Sequence, residues 1–121
     1  MLELSHKNLQ VYQFALKLVK EVYQHTQTYP KEKQFVLVSQ IRRAAISVCS
    51  NIAEGAARIS KQEKKRFYEI SRSSLVEIDT QIEISLILDY IKKDEIDQLE
   101  VYLESTFKML SKMMNNLCVT K

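Results

Sequence analysis

Basic side chains at helical spacing are the most informative groups in this chain of 121 residues. Lys61, Lys65 and Arg72 recur with Tyr68 at steps of three and four residues, so on a helix the four would share one face. Ammonium and guanidinium groups bind phosphate oxygens, and an aromatic ring can stack on an unpaired base. The pattern predicts RNA binding, and a solvated face is the competing interpretation. The candidate nucleic-acid contacts are Arg42, Arg43, Arg58, Lys61, Lys65, Arg66, Tyr68 and Arg72.

The charges are distributed unevenly along the chain. Residues 1–74 hold 13 Lys and Arg against 6 Asp and Glu, whereas residues 75–121 hold 5 against 9, which gives net charges of +7 and −4. The overall charge of +3 is small, so any RNA binding would be largely electrostatic and strongly dependent on salt. The same asymmetry would suit a head-to-tail ring, in which the basic region of one subunit faces the acidic region of the next.

Catalytic chemistry is not predicted. A nucleophile or general acid–base needs His or Cys beside a carboxylate. His6 and His25 are expected as surface residues of the first helix, and Cys49 and Cys118 as reduced thiols. The chain has one Gly and no glycine-rich phosphate loop. We therefore expect no enzyme activity, no catalytic residue, no metal or other cofactor and no small-molecule substrate.

Four helices are predicted to position these residues. A single Gly and a single Pro argue against β-structure, and apolar residues recur every three or four positions. This pattern favours one domain over residues 1–121, an all-α, antiparallel up-down-up-down four-helix bundle. No signal peptide or membrane-spanning run is visible, so we expect a cytoplasmic protein without membrane contact. The predicted helices run from about Lys7 to Thr28, from near Lys33, from a capping box at Ser60 to near Tyr90, and from an N-cap at about Asp94.

The second helix carries more apolar surface than a four-helix bundle needs. Its apolar residues cover well over half of the circumference, whereas one core-facing stripe takes about a third. The excess favours a second packing surface, either a neighbouring subunit or an unusually buried central helix. The candidate oligomer interface comprises Phe35, Val38, Ile46, Cys49 and Ala53.

The remaining face of the second helix is polar. Its residues recur at three- and four-residue steps from Gln40 to Arg58. The stripe is either solvated or part of a buried hydrogen-bonded network with the third helix. The candidate network comprises Gln40, Arg43, Asn51, Glu54, Glu77 and Gln81.

Several motifs together resemble a known family over nearly the whole chain. They are Leu9-Gln10-Val11-Tyr12-Gln13-Phe14-Ala15, Tyr29-Pro30, Gln40-Ile41-Arg42-Arg43-Ala44-Ala45, Ser50-Asn51-Ile52-Ala53-Glu54-Gly55, Phe67-Tyr68-Glu69-Ile70 and Ser74-Leu75-Val76-Glu77. These segments are similar to the four-helix-bundle proteins encoded within intervening sequences of bacterial 23S ribosomal RNA genes. Cys49 stands where that family commonly has Pro, and Ala57 where it commonly has Gly. The resemblance implies a left-handed bundle and, in some members, a ring-shaped homopentamer, but no settled biochemical activity.

The residues and the resemblance lead to one expected function and one alternative. We expect a non-enzymatic homo-oligomeric scaffold, with a pentamer as one possible assembly, that binds structured RNA or an RNA-associated protein. The alternative is a protein–protein interaction adaptor that does not bind nucleic acid. RNA binding would weaken steeply with salt, whereas an apolar protein interface would not.

Overall fold

A computed structural model describes residues 1–31 and 35–118, which form four α-helices. Two short 3₁₀ turns, at Ser5–Asn8 and Lys93–Glu95, precede the first and the fourth α-helix. No β-strand occurs in these two ranges, so the prediction of an all-α four-helix fold is confirmed. The helices are α1 at Gln10–Thr26, α2 at Phe35–Ala57, α3 at Lys61–Ile87 and α4 at Asp97–Cys118.

The first helix is shorter than predicted at both ends. It begins at Gln10 because Leu9 is extended, with φ −70° and ψ 132°, and separates α1 from the preceding 3₁₀ turn. It ends at Thr26, before the turn that leads to Pro30. The predicted start of the second helix near Lys33 lies outside the described residues.

The third helix begins where the capping pattern predicts. The Glu63 N–H donates to the Ser60 hydroxyl oxygen at 3.1 Å, which satisfies one of the free amides of the first turn. The helix ends at Ile87, earlier than predicted, because Asp89 takes a left-handed conformation with φ 60°. The Tyr90 N–H donates to the Ser85 carbonyl and the Asp89 N–H to the Leu86 carbonyl, which is the Schellman arrangement.

Asp94 was predicted as the N-cap of the fourth helix, and this prediction is wrong. Asp94 lies inside the 3₁₀ turn, which the Lys92 N–H closes by donating to the Glu95 carboxylate at 2.9 Å. The first regular α-helical bond of the segment runs from the Glu100 N–H to the Ile96 carbonyl, so α4 begins three residues later, at Asp97.

The core is formed by one apolar stripe from each helix. The helices pack as the pairs α1–α2, α2–α3, α3–α4 and α1–α4, so each contacts two neighbours. Burying a Leu or Ile side chain fully contributes about 1.5–3 kcal/mol, and the core side chains together account for most of the stabilisation. Fully buried members include Leu18, Ile41, Ile52, Leu75, Ile78, Leu99 and Leu110.

Contacts along α2 and α3 show that these helices are antiparallel. Ser47 contacts Ser74, Val48 contacts Ser71, and Gly55 faces Tyr68, so the α3 residue number falls as the α2 number rises. The left-handed twist and the up-down-up-down order of the whole bundle stay predictions. Within the part of the chain that the structure describes, no helix combines the length and apolar character that crossing a bilayer requires.

Candidate nucleic-acid interface

Five basic side chains surround the connection between α2 and α3. We call Arg58, Lys61, Lys64, Lys65 and Arg66 the basic turn. They meet here because α2 stops at Ala57 and Ser60 starts α3 only three residues later. The predicted contacts Arg58, Lys61, Lys65 and Arg66 therefore do come together at one end of the α2–α3 pair.

Two arginines of the basic turn bind a shared aromatic ring. The guanidinium carbon of Arg58 lies 4.7 Å from the ring centroid of Phe67, and that of Arg66 lies 5.7 Å from it. Each arginine also approaches a carboxylate of its own helix or turn, Arg58 with Glu54 at 2.7 Å and Arg66 with Glu63 at 3.9 Å. These exposed ion pairs orient the guanidinium groups but contribute little to stability.

The three lysines of the basic turn have no carboxylate within ion-pair distance among the described residues. Lys64 donates to the Ala56 carbonyl at 3.0 Å, where it complements the negative end of α2. A hydrogen bond with Cys118 raises the pKa of Lys65, with the charge of Glu69 as a smaller cause, so its ammonium stays protonated at neutral pH. Lys61 is exposed and has no hydrogen-bond partner in the described part of the chain. Lys61 and Lys65 thus offer ammonium groups that phosphate can neutralise.

Tyr68 was predicted as a base-stacking residue, and this prediction is wrong. Its side chain is only 5% exposed, because the ring packs against Gly55. A Cβ at position 55 would lie 2.6 Å from Tyr68 Cε1, so the missing side chain of Gly55 makes room for the ring. Burial raises the pKa of the Tyr68 phenol, which therefore stays neutral. The aromatic ring nearer the surface at this turn is Phe67, which is half-buried.

The other three predicted contacts lie away from the basic turn. Arg42 faces the end of α1, where its Nε donates to the Thr26 hydroxyl at 2.9 Å. Arg72 faces α4, where Nη1 donates to the Ser111 hydroxyl at 3.2 Å. Arg43 is exposed in the first half of α2. The structure therefore does not gather the eight residues into one surface.

The predicted polar network is not continuous. Asn51 donates to the Ser47 carbonyl and hydroxyl within α2, and Glu54 pairs with Arg58. Within residues 1–31 and 35–118, no hydrogen bond joins the α2 stripe to Glu77 or Gln81, and the buried Oε1 of Gln81 has no partner. Gln40, Arg43 and Glu77 are exposed, as expected for a mainly solvated stripe. The hydrogen bonds that do join α2 and α3 come from Ser71 and Ser74.

The candidate oligomer interface is split between surface and core. Phe35 and Ile46 are 77% and 47% exposed, whereas Val38 and Ala53 are half-buried. Cys49 belongs to the core and not to the exposed face, because its position on α2 turns it toward the bundle. Burial raises the pKa of the Cys49 thiol to about 11.

Exposed apolar side chains occur at the start of α2 and at the end of α3, and three of them line one cavity between these helices. We call these residues the apolar patch, of which only Phe35 could be predicted, because the partners on the other helix were not known. It borders a cavity of about 440 Å³ that also reaches Gln81. The apolar patch comprises Phe35, Val36, Ile84, Ile87 and Leu88.

The two histidines differ in burial and in their partners. His6 was expected at the surface but is 8% exposed, since its ring packs edge-on against Tyr12 at 4.7 Å between centroids. His25 lies 3.4 Å from the Glu21 carboxylate. The described residues contain no cluster of three or more His, Cys, Asp or Glu side chains that could hold a metal ion.

Comparisons with known proteins are consistent with this fold. A family model described as 23S rRNA-intervening sequence protein matches residues 7–112. A crystal structure of a protein with unknown function from the S23 ribosomal protein family of Bacteroides thetaiotaomicron is similar, with a TM-score of 0.77 and 21% identity. The alignment covers 86% of this chain and 97% of that one, and at this identity it shows the fold alone. No curated protein matches the chain.

Proposed function

Because this chain belongs to the 23S rRNA-intervening sequence protein family, we propose that it is a non-enzymatic, self-associating scaffold that binds structured RNA through the basic turn. The observation that carries the proposal is the set of five cations within nine residues, from Arg58 to Arg66. Lys61 and Lys65 lie there without carboxylate partners among the described residues. A cytoplasmic location stays a prediction.

The side chains of the basic turn favour contacts to phosphates over contacts to bases. The ring of Tyr68 is buried, and the half-buried ring of Phe67 already has both guanidinium groups of the turn beside it, so neither ring favours stacking of a base. Phosphate contacts position an RNA without reading its sequence, and A-form helices are recognised largely by shape and backbone. We therefore expect binding to folded RNA with little sequence preference and a steep dependence on salt.

Charge reversal in the basic turn tests the RNA proposal. We expect the double variant Lys61→Glu/Lys65→Glu to bind a structured RNA at least about tenfold more weakly at low salt, because two phosphate contacts become repulsive. The slope of log affinity against log salt should also become shallower. Fluorescence anisotropy at several salt concentrations measures both quantities.

The matched control is Lys108→Glu/Lys112→Glu, which makes the same change in net charge on α4. Lys108 pairs with Glu104 at 2.8 Å in the acidic half of the sequence, so the control should retain most of the affinity. Equal losses in both double variants would show that net charge alone governs binding. Unchanged affinity and slope in Lys61→Glu/Lys65→Glu would overturn the proposal.

The apolar patch supports self-association. Phe35 and Ile87 are 77% and 79% exposed, and Val36, Ile84 and Leu88 line one cavity. Exposed apolar groups of this kind are typical of protein–protein interfaces. Light scattering after size-exclusion chromatography should give a mass well above the 14.2 kDa of one chain. Ile87→Asp should lower that mass, whereas Val101→Asp, at another exposed apolar position outside the apolar patch, should not. A strictly monomeric wild-type protein at micromolar concentration would contradict self-association.

The apolar patch also favours the second candidate function, a protein-binding adaptor. Such an adaptor would form a complex that resists salt, because apolar contacts are not screened. An oligomer that fails to co-elute with RNA at low salt would favour the adaptor over the RNA-binding scaffold.

A further inference from the structure

Two cations, Arg42 and Lys31, line a cavity far from the basic turn. The cavity, of about 460 Å³, lies where the end of α1 and the following loop face the first half of α2. Arg42 precedes the end of α2 by 15 residues, or about 22 Å of helix. The residues that line this cavity, which we call the Arg42 pocket, are Tyr23, Thr26, Gln27, Tyr29, Lys31, Val38 and Arg42.

The guanidinium group of Arg42 is held in one orientation. Its Nε donates to the Thr26 hydroxyl at 2.9 Å, and that hydroxyl donates in turn to the Val22 carbonyl at 2.7 Å. Thr26 is only 4% exposed, so the receiving hydroxyl is itself fixed. The guanidinium carbon lies 4.5 Å from the ring centroid of Tyr23. An arginine held at two points loses less conformational freedom when it binds a ligand.

The positive charge of Arg42 has no carboxylate counterion in the described part of the chain. Arg58 and Arg66 each approach a Glu carboxylate, whereas Arg42 forms no ion pair with any described residue. A guanidinium is always protonated, and its Nε accounts for only one of five N–H donors. Lys31 adds a second cation, and no acidic residue is among the described residues that line the cavity.

The chemistry of the Arg42 pocket matches a doubly charged anion with an attached group. The Nη atoms of an arginine can bind two oxygens of a phosphate side by side. A phosphate monoester carries a charge of about −1.5 to −2 at neutral pH, which balances two cations, whereas a carboxylate or an internal phosphodiester carries about −1. The rings of Tyr23 and Tyr29 and the side chain of Val38 give apolar walls for the attached group, and the volume lies within the range of small-molecule sites.

We propose that the Arg42 pocket binds a phosphate monoester, supplied either by a free nucleotide or by the 5′ end of an RNA. Arg42 holds the phosphate through its Nη atoms, and Lys31 neutralises the second charge. The site is separate from the basic turn. Phosphates inside an RNA chain lack the second negative charge, so they do not balance both cations of the Arg42 pocket. It would therefore give the protein a means of distinguishing a phosphorylated end from the rest of an RNA.

Titration with adenosine 5′-monophosphate, inorganic phosphate and adenosine tests the proposal. Isothermal calorimetry should show saturable binding of the two phosphates and none of adenosine. Arg42→Gln and Lys31→Gln should each weaken binding of the monophosphate by about tenfold, the loss expected for one charge-assisted contact. The matched control is Arg43→Gln, which removes the same charge from the neighbouring, exposed position and should leave the affinity unchanged.

Two further variants separate binding from folding. Lys31 is exposed, so Lys31→Gln reports on charge without disturbing the contact between α1 and α2. Arg42→Lys keeps the charge but loses the paired N–H donors, and we expect an intermediate affinity. No saturable binding of either phosphate, or equal affinities of Arg42→Gln and Arg43→Gln, would overturn the proposal.

A comparison of two oligoribonucleotides distinguishes the sources of the phosphate. If the ligand is an RNA end, a 5′-phosphorylated oligomer should bind more tightly than its 5′-hydroxyl form, and Arg42→Gln should abolish the difference. If the ligand is a free nucleotide, the two oligomers should bind alike while adenosine 5′-monophosphate still binds. Whichever source supplies the phosphate, the variant Lys61→Glu/Lys65→Glu should keep the wild-type affinity for adenosine 5′-monophosphate. The proposals for the basic turn and for the Arg42 pocket can therefore be refuted separately.

Discussion

The α2–α3 and α3–α4 pairs use the same helix in different ways. Where the second half of α2 meets the first half of α3, Gly55 and three serines lie at the contact, and two side-chain hydrogen bonds join the helices. Between α3 and α4 a groove of about 360 Å³ stays open. The difference shows that the size of the residues along the line of contact, and not only the amount of apolar surface, sets how closely two helices pack.

The close α2–α3 contact depends on small side chains that are also polar. Ser71 is completely buried, and its hydroxyl donates to the Val48 carbonyl at 2.8 Å. The Ser74 hydroxyl donates to the Ser47 hydroxyl at 3.0 Å. A buried hydroxyl is tolerated only when it is hydrogen-bonded, so these two contacts also fix the register of the pair.

The α3–α4 groove is lined by larger side chains that remain partly exposed. Val76 and Phe107 are 53% and 38% exposed, and Asp79 and Glu100 also line the groove. Arg72 lies above the ring of Phe107, at 5.7 Å from its centroid. This groove therefore keeps apolar surface in contact with solvent, whereas the contact at Gly55 and the three serines removes it.

The largest effect should follow from filling the space at Gly55. We expect Gly55→Val to lower the free energy of unfolding by about 2–3 kcal/mol, because the new side chain collides with the buried ring of Tyr68. Ala57→Val, at an exposed position of the same helix end, should cost only about 0.5 kcal/mol. Urea denaturation measures both values. Equal stability of Gly55→Val and wild type would mean that the contact does not depend on the absence of a side chain.

A smaller loss is expected at Ser71. Ser71→Val removes the hydrogen bond to Val48 and adds a methyl group in a closed space, so the free energy of unfolding should fall by about 1–2 kcal/mol. Ser73→Val makes the same substitution at an exposed position and should change the value by less than about 0.5 kcal/mol. Thermal and urea denaturation check the pair. Similar effects at both positions would contradict the role assigned to the buried hydroxyl.

The smallest expected effect is a gain in stability, from a substitution in the connection between α3 and α4. Asp89 has a positive φ at the C-terminal end of α3, where glycine is favoured. We expect Asp89→Gly to raise the free energy of unfolding by about 0.5–1 kcal/mol, because it relieves the strain and removes a negative charge from the negative end of the helix. Asp89→Ala keeps the strain and should give no such gain. A stabilisation by Asp89→Ala as large as that by Asp89→Gly would assign the whole effect to charge.

The helices and their order could be predicted from the sequence, but the face that the first turns of α3 bury could not. Periodic apolar residues and the capping pattern at Ser60 indicate the elements. A stripe through Phe67 and Ile70 is as regular as one through Tyr68 and Ser71, and the two differ by only one position. The structure buries Tyr68 and Ser71, because the absence of a side chain at Gly55 leaves space for the ring of Tyr68.

The candidate sites also differ in whether they could be predicted from the sequence. The basic turn could be predicted because its residues are close in sequence and their charges are visible there. The Arg42 pocket could not, since it depends on Thr26 and Tyr23 of another helix. The apolar patch was missed for the same reason, because Val36 and Ile84 become neighbours only when α2 and α3 pair.

The pairing of helices has a consequence for the order of folding during synthesis. Three of the four main helix pairs join consecutive helices, whereas α1–α4 connects the first with the last. Local contacts of this kind allow helical domains to fold in microseconds to milliseconds. A ribosome needs about 1–4 s to add the 22 residues of α4 at about 5–20 residues per second. The first two helices can therefore pair while α4 is still being made, and the inner face of α1 waits for its last partner.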